Sequence, residues 1–298
     1  MTTPLSVAID APAKINLGLE ILGKRDDGFH EIRTVMAMLD FADTLHVYVG
    51  KVGPGVWTAQ DPPGANLVTR ALEIFRDAVP RSPRLGWKID KRLPVASGLG
   101  GGSADAAAAL MAANQLAGLP LETSGLAQLA ARLGSDIPFF LGAPFAIASG
   151  RGTILEDLLP ARLDVMLIVP DINIPQKTST LYSRVRPADY SDGSQVAEVG
   201  RLLTNNQAPD CQRLGNAFTR PLSEIEPRIL ELQRVISELG VESFGLSGAG
   251  PAHYVLSPGD RAVEIQEALV DTFGNWLTCV QTQTRIHPLH VVDMNSNG

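Results

Sequence analysis

The chain has 298 residues, 45% of them hydrophobic and 19% charged, a balance that supplies cores for about two domains and excludes disordered or collagen-like chains. Its 32 acidic side chains outnumber 25 basic ones, and a formal net charge of −7 argues against a generic nucleic-acid binder, which needs a basic face. No run approaches the roughly 18 uninterrupted apolar residues of a membrane span, since even the Ala-rich stretch 104–119 contains Asp105, Asn114 and Gln115.

Residues 1–10 lack the basic start and apolar core of a secretion signal, so a cytoplasmic address is expected. Residues 5–22 alternate in hydropathy, GKRDDG supplies a turn at Asp26, Asp27 and Gly28, and FHEIRTVMAMLDF resumes an extended pattern, predicting an antiparallel pair. Residues 43–58 read as a further strand pair broken by Gly and Pro. Leu67, Ala71, Leu72 and Phe75 mark one face of a helix over 66–78. A strand at 87–91, a loop PVASGLGGGS, helices at 104–116 and 122–133 and an extended stretch at 143–154 follow. Composition changes near 156–162, which places a domain boundary there and divides the chain into 1–160, 161–286 and a tail, 287–298. The second part reads as a strand at 164–170, a polar segment around Pro187, Asp189, Asp192 and Gly193, and a helix at 221–239. A strand at 243–246, a helix at 262–273, a strand at 276–282 and a frayed end complete it. Strands and helices interleaved without a strict βαβ repeat predict α+β in both halves. Cys211 and Cys279 have no disulfide or zinc spacing, and His46, His253, His287 and His290 have no metal spacing.

The stretch 94–110, PVASGLGGGSADAAAAL, carries the chemistry. Four glycines within 98–102 remove side chains where backbone must approach a ligand, and they permit positive φ. A helix start directly after them offers unpaired N–H groups and a positive dipole end, which together make a phosphate cradle. Walker A needs Lys after its last glycine, where Ser103 stands, and the dinucleotide pattern GxGxxG also fails at Ser103. Protein-kinase signatures and a GxSxG elbow are absent.

PxxxGLGGGSA, residues 94–104, resembles the ATP-binding motif of the GHMP kinases. APAKIN at 11–16 resembles that family's first motif, and GLSGAGP at 245–251 resembles its third. The resemblance implies an N-terminal ribosomal protein S5 domain 2-like unit and a C-terminal ferredoxin-like α+β unit. It implies ATP contacts from Pro94, Gly98, Leu99, Gly100, Gly101, Gly102, Ser103 and Ala104, with Ser247, Gly248 and Gly250 supporting the phosphate loop. Within the family, residues 11–32 and LGSDIPFFLG at 133–142 are similar to the branch that phosphorylates a sugar alcohol bearing a cytidine diphosphate. That likeness implies phosphoryl transfer from ATP, with Mg²⁺, to a tertiary hydroxyl in non-mevalonate isoprenoid synthesis. Lys14 and Asp136 then match the catalytic pair, and Asn16 a polar group beside it. Phe29 and His30 match the cytidine pocket, with Thr178 and Tyr182 as its far wall. Ser103 and Asp105 are the candidate Mg²⁺ ligands. Phe29 stands where relatives often carry Tyr, keeping a ring without its hydroxyl. The implied partner is a small molecule, with no nucleic acid or membrane, for a monomer or homodimer.

A tertiary alcohol is a poor nucleophile at neutral pH, so a carboxylate such as Asp136 serves to take its proton as transfer proceeds. A lysine beside it holds that carboxylate ionised and offsets charge on the moving phosphoryl group. The plainer readings are a turn residue before Pro138 for Asp136, a solvated strand-edge charge for Lys14, a surface imidazole for His30 and first-turn electrostatics for Asp105. Two other functions compete: a relative acting on another small alcohol or driving decarboxylation with ATP, and a nucleotide-binding regulator without catalysis.

Overall fold

A computed structural model describes residues 6–50, 66–205, 207–210 and 213–295. The second strand expected within 43–58 and the thiol of Cys211 lie outside them. Two long strands, β1 (Ser6–Lys24) and β2 (His30–Val49), pair antiparallel from Ser6 opposite Tyr48 to Lys24 opposite His30. Residues 43–49 are therefore the end of β2 and not a strand of their own, because no breaker interrupts the alternation before Gly50. Helix α1 (Leu67–Ala78), β3 (Leu85–Asp90), α2 (Gly101–Leu116), α3 (Thr123–Leu133), β4 (Phe145–Gly150) and β5 (Ile154–Asp157) follow. The second half contains β6 (Asp164–Pro170), α4 (Lys177–Tyr182), α5 (Ser194–Thr204), α6 (Thr219–Ser223) and α7 (Arg228–Glu238). It continues with β7 (Phe244–Leu246), β8 (His253–Leu256), α8 (Ala262–Phe273), β9 (Leu277–Gln283) and β10 (Val291–Asn295).

One sheet runs β10-β1-β2-β4-β5 with β3 on β2, and the other runs β7-β8-β6-β9. The second has the strand order of a ferredoxin-like unit, its first strand lying between the third and fourth. Strand alternation joins the two sheets. Val165, Leu167 and Val169 of β6 pack with Ala13, Ile15 and Leu17 of β1, while Met166 and Ile168 face α7 and α8 through Leu232, Ile236, Ile265 and Leu269. On β1, the residues between those core positions, Lys14 and Asn16, are consequently turned to the opposite face, opposite Met38 and Met36 of β2. Helix α2 is buried almost all round because alanines at 104, 106–109, 112 and 113 leave room for close approach on every side. No helix among the described residues is long and apolar enough to cross a membrane.

Three expectations change. The helix expected over 221–239 is two helices, since Pro227 has no N–H to continue the first and disfavours helical backbone before it. Helix α5 was not expected, although Val196, Val199, Gly200 and Leu203 form its buried face. Of the end expected to fray, 293–298, residues 293–295 belong to β10, which pairs with Ser6–Ile9 and covers the edge of β1, and 296–298 lie outside the described residues.

Candidate active site

The three motifs, far apart in sequence, meet at main-chain carbonyls of the middle one. Lys14 N donates to Leu99 O at 2.8 Å, Ala252 N to Ser97 O at 2.9 Å, and the Ser247 hydroxyl to Gly98 O at 3.1 Å. Their closeness requires glycine. A Cβ on Gly98, at φ +93°, would stand 2.4 Å from Ser247 O and 2.8 Å from Gly250 O. One on Gly100, at φ +74°, would stand 2.9 Å from Lys14 Cγ. Gly100 caps α2, so the first-turn N–H groups of Gly101, Gly102 and Ser103 open onto a cavity of about 190 Å³ bounded by Lys91, Pro94 and the glycines. That volume suits a run of phosphates better than a whole nucleotide. Leu99 is fully buried and serves through its carbonyl, and Ala104 is likewise buried in the helix.

Lys14, itself buried, donates from Nζ to Asn16 Oδ1 at 2.6 Å and lies 3.7 Å from Asp136 Oδ2. Burial pushes the Lys14 ammonium below its ordinary range, and the Asp136 charge partly restores it. Asp136 is 42% exposed and does sit in the turn that leads into the 3₁₀ segment Pro138–Leu141, as the plainer reading has it, and from that turn its carboxylate faces Lys14. Asn16 is held by Thr34, whose Oγ1 accepts from Asn16 Nδ2 at 3.0 Å and donates to Gly18 O at 2.6 Å. The Tyr254 hydroxyl donates to Asn16 O at 2.9 Å and ties the second sheet to this strand.

His30 and Tyr182 stack, their ring centroids 5.0 Å apart and 19° from parallel, and Phe218 meets the edge of Tyr182 at 4.8 Å. Burial, then the Asp136 charge, push the Tyr182 phenol up to about 12. His30 is pushed down by burial and by Lys24, so its imidazole is neutral near pH 7. Phe29 is not brought to this stack: it is 55% exposed, with the Arg151 guanidinium 4.5 Å above its ring. Thr178 is exposed in the first turn of α4.

The family model for the GHMP kinases N terminal domain matches residues 66–143, and that for the GHMP kinases C terminal matches 192–275. The 4-diphosphocytidyl-2-C-methyl-D-erythritol kinase of Pelotomaculum thermopropionicum is 37% identical over 253 residues, covering 83% of this chain and 88% of its own length. The chain belongs to the GHMP kinases. The enzyme of the same name from Dehalococcoides mccartyi is 34% identical over 260 residues, covering 85% of this chain and 90% of its own. A crystal structure of 4-(cytidine 5'-diphospho)-2C-methyl-D-erythritol kinase matches with a TM-score of 0.79 and 32% identity, over 93% of this chain and 98% of that one. The homoserine kinase of Cytophaga hutchinsonii, at TM-score 0.77 and 18% identity, shares the fold.

Two functional features of this GHMP kinase escaped the sequence reading. Lys91 Nζ bridges Asp43 Oδ2 at 2.6 Å and Asp105 Oδ2 at 2.7 Å, while Asp43 Oδ1 accepts from Arg92 N and Leu93 N at 2.5 and 2.8 Å. This buried cluster braces the approach to the cradle. KRLP at 91–94, shortly before the glycine run, was its only signal; the partner Asp43 is 48 residues away. Asp105 lies beyond the first turn of α2, which holds no acidic residue, so first-turn electrostatics does not describe it. Its Oδ1 is buried without a partner, and with the Ser103 hydroxyl it offers the hard oxygens that Mg²⁺ takes. The second feature is Lys177, in a segment whose Thr and Tyr alone had drawn notice.

Proposed function

We propose that the chain transfers the γ-phosphoryl group of ATP to the 2-hydroxyl of 4-(cytidine 5'-diphospho)-2-C-methyl-D-erythritol, giving the 2-phosphate and ADP in non-mevalonate isoprenoid synthesis. The observation that carries this reading is the Lys14–Asp136 pair with the glycine cradle packed against the lysine, and the His30–Tyr182 stack supports a base-bearing acceptor. A phosphoryl donor and a base-bearing acceptor so held meet at one carboxylate and one ammonium.

The glycine loop and the start of α2 bind the donor phosphates through main-chain N–H groups, which stabilise developing charge without rearrangement. Asp136, open to the site, accepts the hydroxyl proton as the new bond forms. Lys14 keeps Asp136 ionised before transfer and offsets charge on the phosphoryl group during it. Asn16, fixed by Thr34 and Tyr254, holds Lys14 Nζ in place. Mg²⁺, with Ser103 and Asp105 as its protein oxygens, supplies charge neutralisation to the phosphates when bound. His30 and Tyr182 form the wall for the cytosine, Thr178 lies on the same helix, and Phe29 guards its rim under Arg151. The reading includes a cytoplasmic monomer or homodimer and a division into units 1–160 and 161–286.

The test is ADP release from purified protein with ATP, Mg²⁺ and a panel of alcohols, including the cytidyl-diphospho compound, homoserine and mevalonate. Turnover is expected with the cytidyl compound alone, and Asp136→Asn is expected to lower kcat by roughly 10²-fold or more while retaining ATP binding. Turnover of another alcohol in preference, or wild-type kcat in the variant, refutes the assignment.

A further inference from the structure

Lys177 opens α4, and its ammonium lies where the two glycine loops meet. Nζ donates to Ala96 O at 2.5 Å and to Gly250 O, joining the segment before the cradle to the loop that supports it. Both acceptors belong to left-handed residues, Ala96 at φ 54° and Gly250 at φ 66°. For a non-glycine residue that conformation is unfavourable, so Ala96 is held there by its surroundings.

Two carbonyls do not neutralise an ammonium. Among the described residues no carboxylate pairs with Lys177, whereas Lys14 has Asp136 and Lys91 has Asp43 and Asp105. The charge that does act on Lys177 is that of Lys14, which is of the same sign. A half-buried cation under the influence of another cation is costly unless an anion completes the set. The electropositive start of α2 adds to the excess. Its position at both glycine loops says which kind of anion the junction takes.

We infer that Lys177 is a direct ligand of a phosphate oxygen, closing over the junction of the two glycine loops as the second cation beside Lys14. The inference rests on the kinase reading above. An ammonium has three donors, so Nζ can keep both loop carbonyls and give its third hydrogen to the phosphate. Burial and Lys14 push the Lys177 ammonium down to about 8, as expected of a site whose charge is balanced only when loaded. Because α4 also carries Tyr182, the phosphate belongs either to ATP or to the diphosphate of the acceptor.

Calorimetry on the full chain separates these sources, using a non-hydrolysable ATP analogue, cytidine diphosphate and adenosine as probes for the parent, Lys177→Met and Lys177→Arg. Lys177→Met keeps the length of the side chain and removes the charge-assisted bond, and is expected to weaken a phosphate-bearing probe by about 10- to 100-fold, with Lys177→Arg recovering part. Adenosine, lacking phosphate, should be unaffected. Loss confined to the ATP analogue assigns the donor phosphate, and loss confined to cytidine diphosphate assigns the acceptor. Equal weakening of adenosine, or no weakening of either phosphate probe with the parent binding both, reduces Lys177 to a strap between loops and overturns the inference. A parent that binds no ATP analogue overturns the kinase reading itself. Thermal melts of Lys177→Met guard against simple misfolding; should it melt early, Lys177→Gln repeats the comparison.

Discussion

Gly98→Ala adds one methyl group at the point where the two glycine loops, 98–102 and 245–251, touch. The new Cβ would lie 2.4 Å from Ser247 O and 2.8 Å from Gly250 O, well inside the 3.0 Å that such atoms essentially never breach. Both obstacles are main chain, so no rotamer change relieves the clash. The loops must separate, stretching the bonds of Ser247 Oγ to Gly98 O and Ala252 N to Ser97 O. A φ of +93° adds about 1–2 kcal/mol for a residue with a Cβ, and overpacking adds about 1–3 kcal/mol. The sum, about 2–5 kcal/mol, corresponds to a fall in Tm on the order of 10 °C for a chain of this size. ATP affinity should fall with it, since the cradle is formed by the same loops. Thermal melts and titration with a non-hydrolysable ATP analogue measure both. Gly102→Ala is the comparison: its Cβ meets only Leu67 Cδ1, at 3.7 Å, and its place in α2 predicts an unchanged or higher Tm. A Gly98→Ala protein with the parent's Tm and ATP affinity would refute the claim that the loops are closed against each other.

Lys91→Met should cost about 3–5 kcal/mol, because it leaves Asp43 and Asp105 buried together without their shared cation; a melt identical to the parent's would contradict the cluster, and adding Asp105→Asn should restore part of the loss. Burial, and Asp43 against the pull of Lys91, hold the Asp105 carboxyl up at about 7, above its ordinary 3.8. The folded state then binds more protons than the unfolded one between about pH 4 and pH 7, so this group's contribution to stability declines as pH rises through that window. Denaturant melts across it should show a shallower decline for Asp105→Asn, and parallel curves would sink the reasoning. Because His30 and Tyr182 stack on each other, their alanine variants should not act independently on cytidine diphosphate binding; a double-mutant cycle should give a coupling of about 0.5–1.5 kcal/mol, and strict additivity would show that the pair does not form one wall.

The glycine run, Ser103 and the following alanines were legible in the sequence because phosphate cradles and close-packed helices demand those residue types locally. Lys14, Asn16 and Asp136 stood out through the resemblance that the motifs carry, and alternation along β1 explains why Lys14 and Asn16 share a face. What sequence could not supply was pairing across distance. Lys91 finds Asp43 and Asp105 because β2, the end of β3 and α2 converge, and a cation shared by two carboxylates has no local signature. Phe29 and Tyr182 read as two sides of a sandwich, yet packing gives Tyr182 to His30 and leaves Phe29 to Arg151, since the choice among aromatic partners depends on where the β1–β2 turn and α4 come to rest. The last strand reads as a tail because its few residues gain ladder bonds only when the edge of β1 is present, 282 residues earlier for Ile9 opposite Val291 and 289 for Ser6 opposite Asn295. Local chemistry was thus written in the order of residues, whereas the partners of each buried charge and ring were decided by the fold, which alone brings them within bonding distance.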